Sequence, residues 1–368
     1  MWTRTAIWWR AGRVRAVTRS WRGVVELAVL PDGGAEPMPA LAYPALVGTP
    51  QVGDRVLLNT SALALGLGTG GYAMVVALPD RLPPDPPAGY GHLVKARYTP
   101  LQTVVAGVDE PDSPHHRLLA EADDLAGLPV VTADLHSALP AVLAGVHADA
   151  PGARVAYVMT DGGALPAWFS RTLDALAGTL AGVVTVGQAF GGDLEAASLH
   201  TGLLAARQVL AAEVAVVTQG PGNLGTGTRW GFSGVGAGEA VNAAAALGGR
   251  PVGALRLSAA DPRPRHRGVS HHSLTAYGRV ALARAELAVP DRLPPGLAAD
   301  VTAALAPLAA RHRLVTVDTA GLDAALRRSP ARLSTMGRDL AADHLYFLAN
   351  AAAGRLAAAL RPAGPELR

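Results

Sequence analysis

Apolar and polar positions change rhythm once along this chain. Up to about residue 87 the rhythm is short and alternating. "RVRAVTRS" and "GVVELAVL" alternate across a brief turn and predict a hairpin. "EPMPALAYP", "GDRVLLN" and "GGYAMVVAL" follow, separated by glycine or proline. Short strands without helical periodicity predict a small all-β domain over 1–87, a barrel or sandwich. The five prolines of "PDRLPPDPPAGYG", 79–91, mark a linker.

Beyond it, continuous apolar runs alternate with helical segments. "LQTVVAGV", "PVVTADL", "RVAYVMT", "GVVTVG", "EVAVVT", "PVGALRLS" and "RLVTVD" read as buried strands. Segments 115–126, 166–178, 198–212 and 238–247 read as helices, and a last helix near 338–360 is expected to cover a sheet edge. The pattern predicts an α/β domain over 88–368, a doubly wound, mostly parallel, Rossmann-like sheet.

That architecture directs attention to the carboxyl ends of the strands, where ligands bind in open parallel sheets. "PVVTADL" runs into His136, and "RVAYVMT" into Asp161, Gly162 and Gly163. "VVTVG" leads to Gly191, Gly192, Asp193 and Glu195, and "EVAVVT" to Gly222 and Gly225. "PVGALRLS" leads to "SAADPRPRHRGVSHH", with Arg263, Arg265, Arg267, His271 and His272. Five strands thus deliver ionisable or glycine-rich turns to one edge, and their shared placement predicts a site.

Each residue also has a plainer reading. Asp193 and Asp161 suit the caps of helices opening near Leu194 and Pro166. A histidine such as His136 is more often satisfied in a core than a ligand. The neighbours His271 and His272 point different ways, so one is expected in the site and one in a structural hydrogen bond. Gly222 and Gly225 belong to a stretch that departs from the Walker and dinucleotide patterns, so no NAD is expected. Such glycines form an anion nest or simply a tight loop. Arg263, Arg265 and Arg267 alternate and would share one side if extended, ready to pair with phosphate or carboxylate; otherwise they form a solvated loop held by Asp261.

Composition narrows the chemistry. The absence of cysteine excludes disulfides, thiolate nucleophiles and cysteine-ligated metals. Carboxylates with His136, His271 or His272 suit Mg²⁺, Mn²⁺ or Zn²⁺, but no tight ligand spacing singles out a metal. The net charge of +3 is spread along the chain and does not by itself indicate nucleic acid. The uncharged run 56–79 is long enough to span a bilayer, yet its glycines, Asn59, Thr60 and Ser61 read as strands. With no signal peptide pattern at the start, a cytoplasmic protein without a membrane segment is expected. The composition leaves room for a homo-oligomer. Lys95 is the only lysine against a strong preference for arginine. Alternation puts Leu93, Lys95 and Arg97 on one face, whose plainer reading is a solvated strand face. A position that keeps lysine for its compact charge or free amine predicts instead that Lys95 reaches the crevice against an anionic substrate.

"GHLVKARYTPLQ", "LHSALP", "YVMTDGGALP", "GQAFGGDLEA", "GPGNLGTGT", "GFSG", "DPRPRHRGVSHHSLTAYG" and the barrel stretch "GDRVLLNTSALALGLGTGGYAMVV" are similar to the motif set of a bacterial family known as domain of unknown function 3866. The resemblance runs to about residue 350. It implies a shared architecture and a shared site, and brings no reaction with it.

Three functions remain in view. The first is an enzyme that hydrolyses or transfers a group on a phosphorylated or other anionic small molecule. The arginines would hold the anion, Asp161, Asp193 or Glu195 would bind metal or act as base, and His271 or His272 would move a proton. A non-catalytic ligand sensor needs the pocket but not so many converging acids and bases. The third is single-strand binding by the β domain, whose first 22 residues carry six arginines, no acid, and Trp2, Trp8, Trp9 and Trp21. The plainer role for those tryptophans is packing on the second domain.

Overall fold

The structure is a computed structural model that describes residues 6–68, 70–87 and 89–362. The chain forms two compact units: one reaches to Tyr90 and takes in 96–104, and the other comprises 91–95 and the residues from 105 onward.

In the first unit, strands β1 (Trp9–Trp21), β2 (Val24–Pro31), β3 (Met38–Ala42), β4 (Arg55–Asn59) and β5 (Ala73–Ala77) close a barrel in the order β1-β2-β3-β5-β4. β1 serves both seams, pairing antiparallel with β2 and with β4. Register shifts after Val14 and Val17 bend it to do so. Alternate residues point inward, so Val25, Leu27 and Val29 of β2 meet Val56, Leu58 and Val75 in the core. β3 and β5 run parallel, and a helical turn, Pro44–Val47, separates β3 from β4. This is the connectivity of OB-type barrels. The run 56–79 supplies β4, the turn Ser61–Ala64 and β5. Among the described residues no helix is long and apolar enough to cross a membrane.

The second unit is built on an eight-stranded parallel sheet. Its strands are β6 (Pro129–Thr132), β7 (Val155–Thr160), β8 (Gly182–Val186), β9 (Leu194–Ala196), β10 (Val214–Gln219), β11 (Arg250–Ala254), β12 (Glu286–Pro290) and β13 (Arg313–Val317). They lie in the order β9-β8-β7-β10-β6-β11-β12-β13. Because both faces of the inner strands are covered, β6, β7, β8 and β10 are buried and largely apolar along their length. Val131, Tyr157 and Val216 enter one core, while Val130, Ala156 and Ala215 enter the other.

The first core is roofed by helices α1 (Leu139–Asp149) and α5 (His344–Ala359), the second by α2 (Leu199–Gln208) and α3 (Gly236–Ala246), and α4 (Pro295–Ala309) packs with Leu287 of β12 in a third. α1 and α5 cross at glycines. A Cβ on Gly145 would run into the carbonyl oxygen of Ala351, and one on Gly354 into that of Val142. The last helix therefore lies on a sheet face, not along an edge. Its alanines and glycines let it sit close against α1.

Other expectations shift locally. The helix read over 115–126 is a single turn, His116–Leu119. Of 166–178, only Arg171–Leu176 is α-helical, after a 3₁₀ turn at Ala167–Phe169. "LQTVVAGV" forms only the short strand Thr103–Val105, outside the eight-stranded sheet, and a single parallel bridge from Gly107 to Glu195 of β9. "ELAVP" forms β12, a strand that the run of apolar positions does not mark.

Candidate active site

β6 and β10 are neighbours, yet the helices that follow them, α1 and α3, lie on opposite faces. Connections that diverge in this way mark the carboxyl ends of the two strands as the place where open α/β sheets bind ligands, and here Asp134, Gln219 and Ser233 line a narrow cleft. From β10, Gln219 donates through Nε2 to the backbone carbonyl of Asp134 (2.8 Å) and to the side-chain oxygen of Asn223 (3.0 Å). Its own Oε1 is buried without a hydrogen-bond partner. The loop after β10 returns close to β6, where a Cβ on Gly234 would stand 2.8 Å from that of Asp134.

Next to β6, β11 ends at Ala254 and the chain reaches the buried Arg256. Leu257–Ser258 then pairs antiparallel with Gly268–Val269 and closes off the loop between them. Asp134 is the hub of a buried polar network here. Its carboxylate lies 3.1 Å from Nδ1 of His272 and 3.4 Å from Nη1 of Arg256. Nη1 is also 3.3 Å from that imidazole nitrogen. Nδ1 cannot both donate to Asp134 and accept from Arg256. In the tautomer with its proton on Nδ1 the bond goes to the carboxylate, Arg256 pairs with Asp134 by charge, and the Nε2 lone pair is left free. Burial alone would raise the Asp134 carboxyl, but the His272 hydrogen bond and the Arg256 charge outweigh it and hold the group below its ordinary range.

The second carboxylate of this network is Asp261. It accepts from Arg263 through both oxygens (2.9 and 2.8 Å) and from Arg338 (3.1 Å), with Arg256 at 3.7 Å. Against the opposing effect of burial, the Arg263 hydrogen bonds and the Arg263 and Arg338 charges hold its carboxyl well below the usual range. Ser258 and Arg338 both bond Asp343, which ties the loop to the start of α5.

Three imidazoles stand together here. Ser270 caps the short helix His271–Thr275, and its Oγ lies 2.8 Å from Nδ1 of His266. The ring centroids of His266, His271 and His272 are 4.5–4.9 Å apart pairwise, and Phe232 stacks on His272 at 3.8 Å. One nitrogen from each histidine lies within 4.8 Å of the other two. Nε2 of His271 is buried and has no partner. Burial, then the His272, Arg265 and Arg256 charges, push the His271 imidazole down to about 4. Burial, with Arg256 and Arg263 next, takes His266 down to about 3.

A second ionisable group lies toward the β9 edge. Lys95 is 1% exposed; its Nζ donates to the carbonyls of Gly187 (2.8 Å) and Ala189 (2.9 Å) and sits 3.4 Å from Glu195. Burial lowers the ammonium's pKa and raises the Glu195 carboxyl's, each partly offset by the other's charge. Glu195 also accepts from Thr185 (2.8 Å) and from the Gly191 amide (2.6 Å).

The sequence-derived residues therefore divide. His271 and His272 come together at the end of β11, with His266, Asp134 and Arg256 beside them. Lys95 and Glu195 meet each other, so the anion Lys95 touches is the chain's own carboxylate. Asp161 follows β7, two strands from β6 and about 10 Å away by ordinary strand spacing. Its carboxylate accepts from the Gln188 amide at 2.9 Å, and Ser170, not Asp161, caps the helix after Pro166. Asp193 lies at the opposite edge, exchanging bonds with Val183 at the amino end of β8. No helix opens at Leu194, which begins β9.

His136 is a satisfied core histidine, held between Tyr157 (2.8 Å) and Ser170 (2.7 Å). Gly191 and Gly192 form no open nest, because their amides go to Glu195 and Thr185. Gly163 lets the loops after β7 and β10 pass: its Cβ would collide with the Gly220 carbonyl, and one on Gly162 would meet Gln219 at 2.8 Å. Gly222 and Gly225 lie in an exposed loop. The three arginines do not share a side, since Pro264–His266 forms a 3₁₀ turn. Arg263 is engaged by Asp261, while Arg265 and Arg267 are exposed.

A family model described as a protein of unknown function (DUF3866) matches residues 39–354. The chain belongs to that family. The matched span leaves out β1 and β2 of the barrel but takes in β4, β5 and the whole of the Asp134–His272 network. No curated protein and no solved structure matches the chain.

Proposed function

We propose that this member of the family is an enzyme acting on a phosphorylated or other anionic small molecule, by hydrolysis or group transfer, in the crevice beyond β6, β10 and β11. The observation that carries the reading is the buried Asp134–His272 pair. A carboxylate that fixes one ring nitrogen leaves the other as a basic atom of defined direction, an arrangement suited to moving a proton or holding an ion. Arg265 and Arg267, exposed on the same loop, supply the charge to attract an anion. The test is turnover by the purified full chain of chromogenic phosphate monoesters, phosphodiesters and carboxylate esters. Asp134→Asn and His272→Gln should each lower turnover at least 100-fold. Saturable ligand binding without turnover of any ester would identify a sensor instead.

A second reading attaches to the barrel. Trp8 and Trp9 are 40% and 50% exposed, beside the exposed Arg10, Arg13 and Arg15. Aromatic faces among arginines suit single-stranded nucleic acid; Trp2 lies outside the described residues. The reading requires oligonucleotide affinity that falls steeply with salt and with Trp8→Ala or Trp9→Ala. Absence of binding near physiological salt would remove it.

A further inference from the structure

We infer that His266, His271 and His272 form a binding site for one divalent transition-metal ion of the Zn²⁺ class, with a coordination position left open. The inference deepens the reading above and rests on it only for the ion's use in catalysis.

Imidazole is the donor here, and imidazole suits Zn²⁺ and its late transition-metal neighbours, whereas Mg²⁺ and Ca²⁺ require oxygen. The three candidate nitrogens lie within 4.8 Å of one another. Tetrahedral Zn²⁺ with bonds of about 2.0–2.1 Å needs ligand nitrogens about 3.3 Å apart. Small rotations of three rings already grouped at 4.5–4.9 Å would bring them that close.

The surroundings match what such ligands require. A metal-bound histidine holds its other ring nitrogen on a carboxylate, hydroxyl or carbonyl. His272 has Asp134 in that place, and His266 has Ser270. In both cases Nδ1 is occupied and Nε2 is the nitrogen left to bind. His271 gives the independent pointer, a buried Nε2 with no partner. Leaving such an atom unsatisfied carries a desolvation penalty, which a bound ion would remove. The carboxylates of Asp134 and Asp261 oppose the charge of Arg256 and lessen the repulsion an entering cation would meet. Three protein ligands leave a fourth position for water, which such ions acidify toward a pKa of about 7.

The experiment uses the full chain without a histidine tag, stripped by chelator and titrated with Zn²⁺ alone, then with Co²⁺ as a spectroscopic probe. Expected are one ion per chain by elemental analysis, and the intense visible absorption of tetrahedral Co²⁺. His271→Gln should weaken Zn²⁺ binding at least 100-fold. It is the decisive variant, because His271 has no internal hydrogen bond at Nε2 to lose. His266→Gln and His272→Gln should act alike if they fold, and His200→Gln, on the exposed start of α2, should change nothing. No bound ion at micromolar Zn²⁺, or binding that survives His271→Gln, overturns the inference. Zn²⁺ binding without ester turnover would leave the site standing and remove the substrate reading alone.

Discussion

Asp134 and His272 stand 138 positions apart in the sequence and 3.1 Å apart in the fold. One follows the first strand of the eight-stranded sheet, and the other opens a five-residue helix after a closed loop. The sheet places β6 beside β11, and the loop closed by Leu257–Ser258 and Gly268–Val269 returns His272 to Asp134.

The pair gives the first expectation. Asp134→Asn keeps the shape of the side chain but removes the charge that orients the imidazole. Zn²⁺ affinity should fall about 10–100-fold, the usual effect of losing such a supporting group. Isothermal titration with Zn²⁺ measures it, and unchanged affinity would mean that His272 is oriented by something else.

Lys95 is expected to act on the fold. Its buried ammonium meets two carbonyls and Glu195, a compact point charge at the centre of three acceptors. Lys95→Met should destabilise the chain by about 3–5 kcal/mol by leaving Glu195 buried without its cation. Adding Glu195→Gln should recover part of that loss. Urea unfolding of the two single variants and the double variant gives the coupling; strictly additive losses would refute the pairing.

The crossing of α1 and α5 gives a packing test. Gly145→Ala forces a methyl into the Ala351 carbonyl and should cost about 1–3 kcal/mol or more. Gly152→Ala, with open space around it, should cost almost nothing. Equal thermal midpoints for the two variants would show that the helices do not cross this tightly.

His136 makes stability depend on pH. Burial takes its imidazole from the ordinary 6.5 down to about 4. Below 6.5 the unfolded chain binds a proton that the folded chain refuses until about 4, so stability is full above 6.5 and declines as the pH falls through that window. The share lost at about pH 5 is about 2 kcal/mol. His136→Gln should therefore lose less stability between about pH 7 and about pH 5 than the parent chain, by urea unfolding at each pH. The same loss in both would contradict the assignment.

The fold was largely legible because a sheet covered on both faces marks most of its strands with a near-continuous apolar run. β6, β7, β8, β10, β11 and β13 carry that mark. β9 did not, since Asp193 before "LEA" reads as a helix cap while its carboxylate in fact binds the neighbouring strand. β12 was missed because its five residues open with Glu286 and end at Pro290. The candidate site was legible only where it is contiguous. "RHRGVSHH" is visible in the sequence, but His266 sits between exposed arginines and nothing local signals its burial. Asp134 and Arg256 each look like a single polar residue beside a strand. Only the strand order, which local patterning does not encode, reveals that they meet.

The most direct test of the crevice is a titration of the full chain, labelled with ¹⁵N-histidine, with inorganic phosphate. Ring resonances of His266, His271 and His272 are predicted to shift saturably together, while those of the enclosed His136 and His312 stay in place. Shifts confined to other histidines, or none at millimolar phosphate, would contradict an anion-binding site at the end of β11.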